Sequence, residues 1–208
     1  KPFKPDYLSL VMEKVLQQKA LASEYNYLKG RLEKITRFDN IIGQSAPMKE
    51  IFKLIPDIAA SDASILLTGE TGTGKELVAR NIHALSDRSD KPLISVNCAA
   101  FSPTLLESEL FGHEKGAFTG ATDRRHGKFE LAHQGVIFLD EISEMSLRLQ
   151  AKLLRVIEEK KVTPLGGRET FDIDVRIVAA SNRDLKAESE SGGFRQDLYF
   201  RLNVLPVP

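Results

Sequence analysis

Four short, mostly apolar runs recur along the chain: Ile65–Leu67, Leu93–Val96, Val136–Leu139 and Val175–Ala180. Each is too short for an ordinary helix and is bounded by polar residues or glycine, the pattern of strands buried on both faces of a parallel sheet. Between them lie stretches with helical spacing: Ala46–Ala60, Glu76–Arg80, a segment carrying Leu105, Leu106, Leu110 and Phe111, then Ser146–Lys160 and Phe194–Leu202. In Ser146–Lys160 the residues Leu149, Leu153, Leu154, Val156 and Ile157 share one face, and the charged positions read as the solvated face. Alternating strands and helices predict an α/β fold, a three-layer α/β/α arrangement around a parallel sheet. Asp87–Pro92 reads as a loop, Leu165-Gly166-Gly167 within Val162–Arg168 as a hairpin-like turn, and Asn203–Pro208 as the start of a further strand.

Residues 1–36 follow another rhythm. Tyr7, Val11, Lys14, Gln18, Leu21, Tyr25, Leu28, Leu32 and Ile35 alternate steps of four and three, a heptad seam on one long helix interrupted by Lys14 and Gln18. Parallel pairing with a second copy and packing onto the chain's own core both satisfy such a stripe. Gly30 weakens the helix near its end. The expected division is a linker helix in 1–36 and an α/β domain in 37–208.

Hydrophobic residues make up 42% and charged residues 28% of the 208, the proportions of a globular chain that buries a core. Lys+Arg and Asp+Glu both number 29, so no basic excess marks nucleic acid as the main partner. Cys98 is the sole cysteine, which excludes an internal disulfide and fits a reducing compartment. No apolar run approaches membrane-spanning length and the N-terminus lacks a signal-peptide core, so a soluble cytoplasmic protein with no membrane partner is expected.

The chemistry concentrates where strands end. Ile65–Leu67 runs into Thr68-Gly69-Glu70-Thr71-Gly72-Thr73-Gly74-Lys75-Glu76 and then a helix, the strand–loop–helix context of a P-loop. Glycines let backbone N–H groups curl inward around phosphate, the helix start adds its positive dipole end, and Lys75 reaches the outer phosphates. Glu76 stands where a Ser or Thr usually ligates Mg²⁺, so other groups must hold the metal. Val136–Leu139 ends in Asp140-Glu141, a Walker B pattern: Asp140 suits the Mg²⁺ of the nucleotide, and Glu141 suits a base that orients the attacking water. Asn182, at the end of the Val175–Ala180 run, occupies a position beside the γ-phosphate, although asparagine there also serves as a turn former. Arg195 and Arg201 read either as surface ion pairs or as charge-stabilising fingers for a neighbour's nucleotide.

Together with Glu109-Leu110-Phe111-Gly112-His113-Glu114-Lys115, the hexapeptide Gly116-Ala117-Phe118-Thr119-Gly120-Ala121 resembles, without a mismatch, the signature loop of bacterial enhancer-binding proteins. These are the AAA+ activators of sigma-54 RNA polymerase, of the nitrogen regulatory protein C type. The resemblance covers about residues 38–208 and is far more specific than a Walker motif. A Phe flanked by glycines anchors a core poorly and can offer one apolar side chain to a partner; a Phe buried in an ordinary turn is the alternative.

The resemblance implies an AAA+ core that binds ATP and Mg²⁺ and tolerates Glu at position 76. It implies Gly69–Glu76 as Walker A, Asp140 and Glu141 as Walker B, and Asn182 as the first sensor. Asn97 becomes the residue that holds Glu141 away from water until the partner is engaged. Arg195 and Arg201 become trans-acting arginines, Ile42 and Gly43 the adenine-contacting segment, and Leu165–Arg168 a second surface loop beside Phe118. Lys1-Pro2-Phe3 resembles the end of a receiver domain, which implies a two-component response regulator whose linker helix pairs two subunits when inactive and whose active form is a hexameric or heptameric ring. The 208 residues hold no helical lid and no helix-turn-helix, so DNA contact is expected only through a C-terminal domain outside them. Two other readings compete: a nucleotide-gated scaffold that scarcely hydrolyses ATP, and another AAA+ remodeller of unknown client.

Overall fold

The computed structural model describes residues 46–118 and 120–207. The heptad stripe of residues 1–36, residues 37–45, Thr119 and Pro208 lie outside the described residues. In chain order the elements are α1 (Ala46–Ala59), β1 (Ile65–Thr68), α2 (Lys75–Ala84), β2 (Leu93–Asn97), α3 (Pro103–Phe111), β3 (Gly112–His113), β4 (Arg125–His126), α4 (Lys128–Leu131) and β5 (Val136–Asp140). They continue with α5 (Leu147–Glu159), β6 (Lys161–Val162), β7 (Phe171–Asp172), β8 (Arg176–Ser181), α6 (Leu185–Ser191), α7 (Gln196–Leu202) and β9 (Leu205–Val207).

Five of these strands form one wholly parallel sheet in the order β2-β5-β8-β1-β9. Its middle strands are the apolar runs of the sequence, because a parallel strand covered by helices on both faces has no solvated side to populate with polar residues. Every residue of β8 and the first four of β5 are buried, whereas β2 and β9, at the edges, are only partly so. Pro206 sits in edge strand β9, where its missing N–H costs no inner ladder bond. The predicted strands, the helices and the final strand all form. The two short ladders, β3 with β4 and β6 with β7, are antiparallel, and the second confirms a hairpin around Leu165–Gly167.

Leu149, Leu153 and Val156 of α5 pack with Ile137 and Leu139 of β5, Leu198 and Leu202 of α7 and the stacked pair Phe111–Phe129, whose centroids lie 5.7 Å apart. The charged face of α5 is not simply solvated. Lys152 Nζ lies 4.5 Å from the centre of the Phe111 ring and 3.3 Å from Glu107 of α3, so this lysine ties α5 to α3 by a cation–π contact and an ion pair. Gln150, on the same helix, is wholly buried: its Nε2 donates to Met145 O (2.7 Å), and its Oε1 accepts from the Arg195 N–H (2.8 Å). No helix among the described residues is long and apolar enough to cross a membrane.

Among the described residues, the one fully buried charge in the sheet is Arg176, 2% exposed at the start of β8. Its guanidinium donates to Ile58 O (2.6 Å), Ala59 O (2.9 Å) and Ala63 O (3.4 Å). These carbonyls belong to the end of α1 and the turn after it, where orphan acceptors and the negative end of the helix dipole favour a cation. Arg176→Met strands those acceptors and is expected to cost about 3 kcal/mol, seen as a melting point lower by roughly 6–12 °C; an unchanged melting point would show that water replaces the guanidinium freely. Cys98 is also buried, in the turn that follows β2. Burial, and then the nearby carboxylates of Asp140 and Glu141, push its thiol up to about 12. Its native alkylation is therefore expected to stay slow from about pH 7 to 10, whereas an unfolded thiol accelerates through about 8.5. Iodoacetamide labelling with and without denaturant measures this directly.

Candidate functional site

Parallel strands all finish on one edge of their sheet, so the loops after β1, β2, β5 and β8 gather there. The loop after β1 is Gly69–Gly74. Gly72 and Gly74 adopt φ of 83° and 89°, with open space where a Cβ would stand, so glycine is required there by backbone conformation and not by crowding. Helix α2 begins at Lys75 behind Gly74, with no side chain capping its first turn. Its leading N–H groups thus point into the loop as an anion cradle. Lys75 Nζ donates to Gly69 O and Glu70 O, each at 2.8 Å, and Thr73 Oγ1 also donates to Glu70 O (2.8 Å). Glu76 is paired along the helix, its Oε1 accepting from Arg80 Nη2 at 2.7 Å.

The acids stand on β5, one strand beyond β8. Asp140 is half-buried, and its Oδ1 accepts the Glu141 N–H at 3.0 Å. Glu141 has φ 51° and ψ 48°, a left-handed conformation that a residue with a Cβ seldom takes. That turn leads into a 3₁₀ segment, Ile142–Glu144. Asn97 is the register partner of Asp140 on β2, and its Oδ1 accepts the Ala99 N–H at 2.8 Å, capping the short turn Cys98–Ala100. Among the described residues no hydrogen bond joins Asn97 to Glu141 in this state.

Strand β8 separates the loop from the acids, and its end carries Asn182, whose Nδ2 donates to Thr71 Oγ1 at 3.2 Å. The predicted sensor is thus in contact with the P-loop. The next residue, Arg183, reaches Glu144 at 2.6 Å and Glu188 at 3.9 Å. Sequence reasoning does not single out Arg183; its signal is its place directly after the asparagine at a strand end.

The structure brings Gly69–Glu76, Asn97, Asp140, Glu141 and Asn182 to one edge. It places Arg195 and Arg201 elsewhere, at the two ends of α7. Arg195 forms a two-pronged contact with Asp197 (3.0 and 2.6 Å), which holds the Asp197 carboxyl below its usual range, and Arg201 pairs with Glu158 (3.4 Å). Among the described residues neither arginine bonds to the P-loop or the acids. Ile42 and Gly43 lie outside the described residues.

The described residues contain no cluster of three or more His, Cys, Asp or Glu that could hold a metal alone. A single carboxylate, Asp140, at the same sheet edge as a phosphate cradle fits Mg²⁺, which keeps much of its water and takes its other ligands from phosphate.

Away from this edge, Gly116–Ala121 forms a compact turn closed by Gly116 N–H to Ala121 O (2.8 Å) and Ala121 N–H to Phe118 O (3.0 Å). Phe118 is half-buried, its ring edge-on to His113 with centroids 5.0 Å apart. The tip therefore lies folded down, where the sequence suggested a projecting side chain. The second loop sits beside it as expected: Glu114 N–H donates to Leu165 O and Leu165 N–H to Gly112 O, each at 2.9 Å.

Residues 41–208 match the Sigma-54 interaction domain family. The chain is 50% identical over 205 residues to the regulatory protein AtoC of Escherichia coli K12, covering 99% of this chain and 44% of that protein. It is 52% identical over 191 residues to a Nif-specific regulatory protein of Herbaspirillum seropedicae, covering 92% of this chain and 35% of that protein. Among solved structures, NtrX from Brucella abortus in complex with ADP superposes with a TM-score of 0.79 at 38% identity, covering 100% of this chain and 45% of that one. The chain thus spans less than half the length of these relatives. With its P-loop, strand-end acids and glycine-flanked Phe118 loop, the chain belongs to the sigma-54-dependent transcriptional activators and carries their AAA+ sigma-54 interaction domain.

Proposed function

We propose that this chain is the ATP-hydrolysing core of a two-component activator, a cytoplasmic protein that remodels sigma-54 RNA polymerase from closed to open promoter complex. The observation that carries this reading is α3. It starts at Pro103, just past the turn capped by Asn97, and ends at Phe111, directly before the ladder that supports the Phe118 loop. One short helix therefore links the nucleotide edge to the surface loop, and a displacement at one end is delivered at the other.

In this mechanism the Gly69–Gly74 N–H groups and Lys75 hold the phosphates, and Glu141 orients the attacking water. Mg²⁺, held by Asp140, the phosphates and water, would neutralise charge as the γ-phosphate departs. Asn182 sits where loss of the γ-phosphate changes its partners. Asn97 has its amide nitrogen available to engage Glu141 when the turn shifts, and Arg195 or Arg201 reaches the nucleotide of a neighbouring subunit in a ring. Adenine contact by Ile42 and Gly43, pairing through residues 1–36, a hexameric or heptameric ring, and DNA binding by a domain beyond these residues complete the proposal.

Glu141→Gln keeps the side chain's size and removes its basicity. It is expected to leave ATP affinity unchanged while turnover falls by about 10²–10⁴-fold, measured by phosphate release from the full-length protein. Retained turnover would exclude Glu141 as the residue that orients water, and full remodelling without turnover would favour a nucleotide-gated scaffold. Phe118→Ala is expected to abolish the complex with sigma-54 formed in ADP and a metal-fluoride phosphate mimic, while ATP hydrolysis persists. Gel filtration reads this, and a complex that survives the substitution would exclude the loop as the contact.

A further inference from the structure

The loop's supports are unequal. At its base, Gly112 has φ 79°, and a Cβ there would stand 2.6 Å from Arg125 O and 2.7 Å from Gly127 N, so the chain is locked against β4. His113 pairs with Arg125 on one side and bridges Leu165 on the other. Further out, at Gly116 (φ 81°) and Gly120 (φ 103°), a Cβ would meet no heavy atom within 4 Å, so no packing confines these two glycines on either side of Phe118, and local hydrogen bonds such as Gly116 N–H to Ala121 O (2.8 Å) hold them. The Phe118 ring meets the edge of His113, 8% exposed, whose Nδ1 lies 2.7 Å from Ser108 Oγ. Ser108 is itself buried on α3.

We propose that His113 is a positioning residue that latches the Phe118 loop in its folded state, with Ser108 tying the latch to α3; its consequence for polymerase engagement rests on the sigma-54 reading above. The imidazole is fixed at the rigid base and meets Phe118 through a contact weak enough to break and remake. Because Ser108 rides on the helix that starts beside Asn97, a shift of α3 moves the imidazole and releases the ring. His113 thereby sets the balance between folded and raised loop, and with it how far client binding depends on nucleotide state.

The test uses the full-length protein as wild type, His113→Leu, His113→Phe and Ser108→Ala. The first readout needs no client: hydrogen–deuterium exchange of the Gly112–His126 segment with ADP bound. His113→Leu is expected to speed exchange of the Gly116 and Ala121 amides by about 3- to 10-fold, the value of one aromatic edge contact. His113→Phe keeps an aromatic edge but loses the Ser108 hydrogen bond, as Ser108→Ala does, so both are expected to fall between wild type and His113→Leu. The second readout is sigma-54 affinity with ADP against ADP plus metal fluoride; His113→Leu is expected to shrink that ratio by the same factor. Wild-type exchange in His113→Leu, or equal acceleration in His113→Phe, overturns the latch. If His113→Leu loses nucleotide binding through misfolding, unchanged exchange in Ser108→Ala overturns it instead. Wild-type protein that never binds sigma-54 refutes the client and not the latch, which the exchange pattern still decides.

Discussion

The position of β8 between β1 and β5 is the constraint on which the site depends. A parallel sheet brings every strand end to one edge, but it does not say which ends are adjacent. Here the strand that carries the phosphate loop and the strand that carries the acids are separated by one strand width, and Asn182 fills the gap. Strand β8 is held at both ends. At its start Arg176 grips the end of α1. At its finish Gly69 N–H donates to Ser181 O at 3.2 Å, and Ser181 Oγ both accepts from Arg183 N–H (3.0 Å) and donates to Arg183 O (2.9 Å). A strand clamped this way cannot slide in register without exposing a buried charge, so Asn182 keeps its depth relative to Thr71.

Much of this was legible because it is carried by period and by spacing. Apolar runs of three to six residues become inner strands wherever helices cover both faces, and the glycines of the P-loop declare a backbone that other residues avoid. The residues that escaped are polar groups whose partners are distant backbone atoms. Arg176 stands inside an apolar run and satisfies carbonyls more than a hundred positions away, with sequence separations of 117 and 118 to Ala59 and Ile58. Gln150 joins its own helix to Arg195, 45 positions on. A charged or amide group in the middle of a buried pattern announces that it needs partners; it does not name them. Phe118 shows a different limit. Its glycine flanks imply freedom to move, which is compatible with both a raised and a folded tip, and only the contact with His113 shows which state is occupied.

Arginines at the ends of α7 mark the same limit from another side. Within one chain, Arg195 and Arg201 are paired with exposed carboxylates on the surface, interactions that are weak because water competes for both partners. Weak pairing is compatible with a second role, since an arginine committed to a buried carboxylate could not be released cheaply to a neighbour's phosphate. The Gln150 contact fixes the backbone at Arg195 while leaving its side chain on the surface. A rigid mount with an adjustable head suits the trans-acting role proposed for this arginine.

The same logic governs the Phe118 loop. A switch driven by one γ-phosphate has available only the difference in contact energy between its two states. An aromatic edge contact is worth about 0.5–1.5 kcal/mol, and a hydrogen bond to a charged group about 1.5–3 kcal/mol. One or two phosphate contacts at Asn182 or the P-loop therefore match or exceed the His113–Phe118 contact taken alone. Gly112 and His113 have in addition the ladder with β4 and the bonds around Leu165. In the proposed mechanism, energy delivered through α3 would therefore act on the tip, while Gly112 and His113 stay bound to β4 and beside Leu165.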